Sequence, residues 1–200
     1  MRRSQDARHQ ATHEALLVAA VGVLSRKGAH ASTLQDVAEA AGVSKGALTY
    51  HFKSRDELLD EVLVRCAQRL RGRLSEALGT HPSEPPARRA REVLAAAVRA
   101  LDPTDPEVAA LSDLAALSRH DARLRGHVSL CLAELEQALL DAVVTPRLAA
   151  GLAPRVPAGA IARLCLGALL GAGLLEPPAE ADAQAHTLAL EKALAGLFEA

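Results

Sequence analysis

Aromatic side chains are almost missing: one Tyr, two Phe and no Trp occur in 200 residues. Aromatic cages and stacking walls are therefore excluded as the main recognition chemistry, and planar cations make poor candidate ligands. Cysteine is scarce too. Cys66, Cys131 and Cys165 are odd in number, far apart and set in apolar helical contexts. They exclude a disulfide frame and a metal site, and read as buried free thiols of a reducing compartment. The eight histidines show no metal-ligand spacing, so neither metal nor other cofactor is expected. An alternating strand pattern is absent beyond a few residues, which excludes a sheet-based fold. The N-terminal MRRSQDARHQATHEALLVAA lacks a signal-peptide layout, which points to the cytoplasm. Ala158 to Leu175 is nearly all apolar, but it falls short of the about 20 residues of a span and carries Arg163. No membrane partner is expected. A helix apolar all round must still be covered on every side, and a second subunit is one such cover.

What is present is Ala and Leu. Half the residues are hydrophobic and 24% are charged, a globular profile dominated by strong helix formers. The fold class expected is all-α. Charge is uneven: residues 1–55 hold eight Lys/Arg against four Asp/Glu, a net of +4, and the remainder nets −5. A basic front on an acidic body suggests an anionic partner for the front alone.

Periodicity and punctuation predict a first helix over Arg8–Lys27, stopped by Gly28. A short second helix begins after Ser32 or Thr33, either of which can cap it, and ends at Gly42. Ser44 caps a third helix to about His51, and a fourth runs from Ser54 to about Leu78. The segment GTHPSEPPA breaks the chain there. Further helices are expected over Ala87–Leu101, Pro106–Arg119, Ala122–Ala150, Ala158–Leu175 and Ala181–Glu199.

Two of the three aromatics, Tyr50 and Phe52, lie in the stretch AGVSKGALTYHF from Ala41 to Phe52. Two short helices joined by a tight turn with glycine form a helix-turn-helix, whose second helix can enter a DNA major groove. On its wheel Ala47, Leu48 and Phe52 face the core. Lys45 and Thr49 share the opposite face beside Gly46 and Tyr50, with His51 at the helix end. An ammonium, a hydroxyl, a phenol and bare backbone suit phosphates and base edges.

The stretch GAHASTLQDVAEAAGVSKGALTYHFKSRDELL, Gly28 to Leu59, closely resembles the DNA-binding domain of the TetR family of bacterial transcriptional regulators. The match is ungapped: Gly28, Thr33, Asp36-Val37-Ala38, Ala41-Gly42-Val43-Ser44, Gly46, Tyr50-His51-Phe52 and Arg55-Asp56-Glu57-Leu58. It covers about a quarter of the chain; the rest resembles the family only in helical character and length. The resemblance implies a three-helix DNA-binding domain over 1–54 and a helical effector-binding and dimerisation domain over 55–200. It implies contacts to double-stranded operator DNA from Thr33, Ser44, Lys45, Gly46, Thr49, Tyr50, His51 and Lys53. Thr49 departs from the family pattern, where that position is often aromatic. A threonine loses reach to a phosphate, while its methyl can touch a thymine methyl.

The resemblance also implies a homodimer through Leu166, Gly167, Leu170, Gly171, Leu174, Leu190, Leu194, Leu197 and Phe198, paired as a four-helix bundle. A small-molecule effector would sit among helices four to eight, in a wall of Leu, Ala, Val and Cys. Asp113, His120 or Arg163 would anchor its polar end, so an aliphatic or amphipathic metabolite fits. The function expected is a TetR-type regulator, a repressor released by its effector, and not an enzyme. Ser118, His120 and Asp121 sit close together, but sequence neighbours do not face one another on a helix. Two rivals are a small helical enzyme carrying a helix-turn-helix, for which no catalytic cluster is visible, and an architectural DNA-binding protein without effector, which would be basic throughout. Arg2, Arg3 and Arg8 read as an arm over the DNA backbone or as a solvated tail.

Overall fold

The two shortest helices have their ends written into adjacent residues. Thr33 takes extended backbone (φ −117°, ψ 160°), and its hydroxyl accepts the Asp36 N–H while the Asp36 carboxylate accepts the Thr33 N–H. This reciprocal capping box starts α2, Leu34–Ala40. Of the two candidate caps Thr33 is the one used, because the Ser32 hydroxyl donates to the Gly28 carbonyl instead. Gly42 follows at φ +66°, where a Cβ is strained, and turns the chain. Ser44 then caps α3, Lys45–His51, by accepting the Ala47 N–H.

The computed structural model describes residues 2–79, 92, 95–99, 102, 104–172, 188–189 and 192–198. Among them every regular element is helical, and the one extended pairing is an isolated bridge between Pro154 and Phe198. α1, Arg2–Lys27, begins earlier than expected and ends where Gly28 takes φ +80°. α4, Arg55–Gly79, opens with Asp56 and Glu57 in its first turn, where the helix dipole favours carboxylates. α5 is Pro106–Leu117, capped by Asp105 with proline in its first turn. α6, Ala122–Leu139, is capped by Asp121. The helix expected over Ala122–Ala150 is continuous but not uniform. Leu140–Val144 form one π-helical turn, after which α7, Thr145–Ala149, resumes. Pro146 supplies no N–H and crowds the carbonyl four residues back, and the wider turn takes up that misfit. α8 is Ala158–Ala172. Most of the helices expected over Ala87–Leu101 and Ala181–Glu199 lie outside the described residues, as do Leu174 and Leu190.

The core is one continuous set of Leu, Val and Ala with Phe52 inside it. Leu16, Ala20 and Leu24 of α1 meet Val37 and Ala38 of α2, Leu48 of α3 and Phe52, all buried. Ala47 is exposed rather than packed, so the inward stripe of α3 is narrower than its wheel suggested. α4 runs from this unit into the body, packing on α1, α5 and α6, while α1 also lies along α5. The three cysteines are free and buried, as their apolar settings foretold.

Candidate nucleic-acid interface

α3 is held from beneath. Leu48 and Phe52 are fully buried, and Phe52 lies against the ring of His13 with centroids 4.8 Å apart. With those anchors inside, Ser44, Lys45, Gly46, Thr49 and Tyr50 all face outward, Tyr50 at 77% exposure. A Cβ built on Gly46 meets only the Ser44 hydroxyl, at 3.9 Å, so the backbone there lies open. Lys45 and the Lys53 ammonium engage no carboxylate among the described residues, whereas the Lys53 N–H donates to Glu57. The open face is therefore cationic and unneutralised.

Several of the expected contact groups already have work inside the chain. Thr33 is exposed, but its hydroxyl is shared with Asp36 in the capping box. The Asp36 carboxyl is drawn down to about 2 by the Lys27 ammonium and by the Thr33 hydroxyl and N–H. The Thr49 hydroxyl donates to the Gly46 carbonyl at 3.1 Å, which leaves its methyl as the outward group. His51 is only half exposed. Its ring stacks on His9 with centroids 4.4 Å apart and planes 19° apart, and Tyr50 meets His9 edge-on at 5.7 Å. Burial first, then the nearby His9 and His13, press the His51 imidazole below the ordinary histidine range.

Two residues that sequence reasoning passed over, and two that it placed elsewhere, brace this face. His9 and His13, four apart on α1, reach α3 from the side; their spacing was the one available signal. Arg55 folds its guanidinium onto the carbonyls of Ser32, Ala29 and His30, tying the start of α4 to the loop before α2. Asp113 has a partner inside the chain. Its carboxylate accepts the Ala29 N–H at 3.0 Å and lies 3.3 Å from where a Cβ on Gly28 would stand. It therefore links α5 of the body to the loop that carries the helix-turn-helix.

The other residues expected at an effector site are scattered. His120 is exposed in the turn after α5, and Arg163 is exposed on α8 and paired with Glu136 at 3.1 Å. No hydrogen bond or ion pair joins Asp113, His120 and Arg163 to one another. A groove of about 520 Å³ between α4 and α6 is lined by polar groups including Gln68, Arg71, Glu134 and Asp141. A second cleft of about 650 Å³ lies between α1, α4 and α6. Neither includes Asp113, His120 or Arg163 in its wall.

Of the residues expected at a dimer seam, Leu194 and Phe198 are already buried in a single chain, Phe198 beneath the buried guanidinium of Arg147. Leu166 is buried, while Leu170 and Leu197 are half-buried. Gly167 and Gly171 are exposed, and a Cβ at either meets nothing within 4 Å. Among the described residues there is no metal-binding cluster, and no helix is long and apolar enough to cross a membrane.

Residues 16–62 match the family described as bacterial regulatory proteins, tetR family. The chain is 37% identical over 68 residues to the HTH-type transcriptional repressor KstR2 of Mycolicibacterium smegmatis, covering 34% of this chain and 33% of that one. It is 39% identical over 79 residues to the HTH-type transcriptional regulator CymR of Pseudomonas putida, covering 38% and 39%. The matched part thus spans about a third of the length of those relatives. The whole fold is similar to a solved transcriptional regulator from Rhodococcus sp. Rha1, with a TM-score of 0.68, 25% identity and 92% and 95% of the two chains covered. Residues 16–62 thus carry the sequence pattern of the tetR family of bacterial regulatory proteins.

Proposed function

We propose that this protein is a transcriptional repressor that binds a near-palindromic operator as a homodimer and leaves it when a small molecule occupies the body. One observation carries the reading. α3 turns Lys45, Gly46, Thr49 and Tyr50 outward, with no carboxylate opposite, while Leu48 and Phe52 fasten it to the core. A helix so mounted suits a major groove, with the ammonium on phosphate and the phenol and threonine methyl toward base edges. The repressor sense is supported by KstR2 being named a repressor.

The domain division at about residue 54 gives α4 the role of connector, since it packs on α1 as well as on the body. Dimerisation is assigned to α8, whose exposed stripe of Leu164, Gly167, Ala168 and Gly171 repeats at helical spacing and admits close backbone approach. The body, poor in aromatics, is assigned an aliphatic or amphipathic effector with one polar end. Asp113 would then act less as an anchor than as the tie through which the body restrains the loop at Ala29.

Selection of bound sequences from random duplex DNA tests the reading, run with and without a cell metabolite extract. The expected product is a near-palindrome whose half-site centres lie roughly 34–36 Å apart, or a modest multiple of that. Binding should weaken steeply with salt as counterions are released, and the extract should lower recovery. Recovery of no enriched sequence would refute the proposal.

A further inference from the structure

We propose that His9 is a positioning residue of the recognition surface: its ring holds Tyr50 and His51 in the arrangement that discriminates DNA sequence, and protonation within that stack loosens the hold. The inference rests on the DNA-binding reading above and adds to it a grip from α1 and a dependence on pH.

The rings form a connected set across two helices. His9 stacks on His51 at 4.4 Å and meets Tyr50 edge-on at 5.7 Å. His13, one turn further along α1, lies 5.7 Å from His51 and 4.8 Å from the buried Phe52. A chain with three aromatics places two of them here, beside three of its eight histidines. Tyr50 is otherwise largely exposed at 77%, so ring contacts from His9 and His51 are what restrict its rotation. An exposed phenol without them would sample several rotamers and present its hydroxyl at no fixed place.

The same contacts disfavour a charge on the His51 ring. The His51 Nδ1 is buried without a hydrogen-bond partner among the described residues, so a proton there would have nothing to donate to. Two imidazolium rings face to face at this distance repel. The titratable and charged groups around the stack are Asp6 and His13 one turn away on α1, Tyr50 and His51 on α3, and Glu61 on α4. Glu61 is engaged by the His13 Nε2 at 2.7 Å, so it offers compensation to His13 rather than to the His9–His51 pair. The lowered proton affinity of His51 points the same way: the intact stack persists at neutral pH and is lost as pH falls below the ordinary histidine range of about 6.5.

Phosphate attraction runs in the opposite direction, since added positive charge strengthens binding to any DNA. The measurement must therefore cancel it. We would measure affinities of the full chain at fixed salt for the selected operator duplex and for a scrambled duplex of equal length, from about pH 8 to about pH 5.5. The operator-to-scrambled ratio should fall about threefold to tenfold across that range in the unsubstituted protein, the fold-change of one aromatic contact. His9→Ala should lower the ratio already at the upper pH and flatten its pH dependence. His9→Phe, a ring that takes no proton, should keep more of the preference than His9→Ala and show a shallower pH dependence than the parent, since His51 remains in the stack. Circular dichroism monitors folding throughout, and His9→Gln replaces the Phe variant should that one not fold. A flat ratio in the unsubstituted protein overturns the proposal, as does a His9→Phe or His9→Gln profile as steep as that of the parent. A protein that prefers the operator at no pH refutes instead the DNA-binding reading beneath it.

Discussion

The outward face of α3 and the body treat their charges differently, and the two regions set their helix ends in different ways. In the body, Arg71, Arg73, Arg123 and Arg163 each reach a carboxylate: Glu134, Asp105 with Glu107, Asp60, and Glu136. On the recognition face Lys45 and Lys53 reach none. A cation already paired has little left for an external phosphate, whereas an unpaired one at a surface adds to a field that draws anions. The two regions also differ in how their helices are specified. α2 and α3, seven residues each, are set by caps three positions from the atoms they satisfy. The run from α6 through α7 crosses a proline only because Ala142, Val143, Val144 and Arg147 are buried around the wider turn. Short helices depend on local chemistry, and long ones can override it by packing.

Breaking the packed half of the recognition unit should have the largest effect. Phe52→Ala removes a fully buried ring and is expected to destabilise by about 3–5 kcal/mol, read as a lowered urea midpoint. The tie between the two regions comes next. Asp113→Ala strands the N–H of Ala29, a buried residue, and is expected to cost about 1–3 kcal/mol. Amide exchange should accelerate at residues 28–34 in that variant while the α6 amides keep their protection. A smaller effect is expected at the caps: Thr33→Ala should cost about 1 kcal/mol, and Ser44→Ala a similar amount, by thermal melting.

The smallest effect is an acid-side shift confined to the first unit. Asp36 is held at about 2 against an ordinary 3.8, so its contribution is present above the ordinary value and disappears as pH falls from 3.8 towards 2. An Asp36→Asn variant should lose that segment of the acid unfolding curve. His51 titrates higher: being harder to protonate when folded, it lowers stability as pH drops below the ordinary histidine value.

These differences also decide how much was legible beforehand. Gly28, Gly42, Ser44 and the inward placement of Leu48 and Phe52 could be read from sequence because each acts within a turn of its own position. Thr33 and Ser32 were equally good caps on paper, and only the competing carbonyl of Gly28 separates them. The contacts that complete the recognition face were not legible. His9 meets His51 from another helix, and Asp113 meets Ala29 across 84 positions. Composition says that these helices are apolar but not which neighbour covers each position. For that reason Asp113, His120 and Arg163 looked equivalent in sequence and stand in three unrelated settings.

The central claim is that the unpaired face of α3 reads DNA. The most direct test is the affinity of the full chain and of its Lys45→Ala and Tyr50→Ala variants for the selected operator, with helical circular dichroism recorded on the same samples. The account predicts unchanged helical signal and a loss of operator binding of about tenfold or more in each variant, given that one good base or phosphate contact is worth about 1–3 kcal/mol. Operator binding by both variants equal to that of the unsubstituted protein would contradict it.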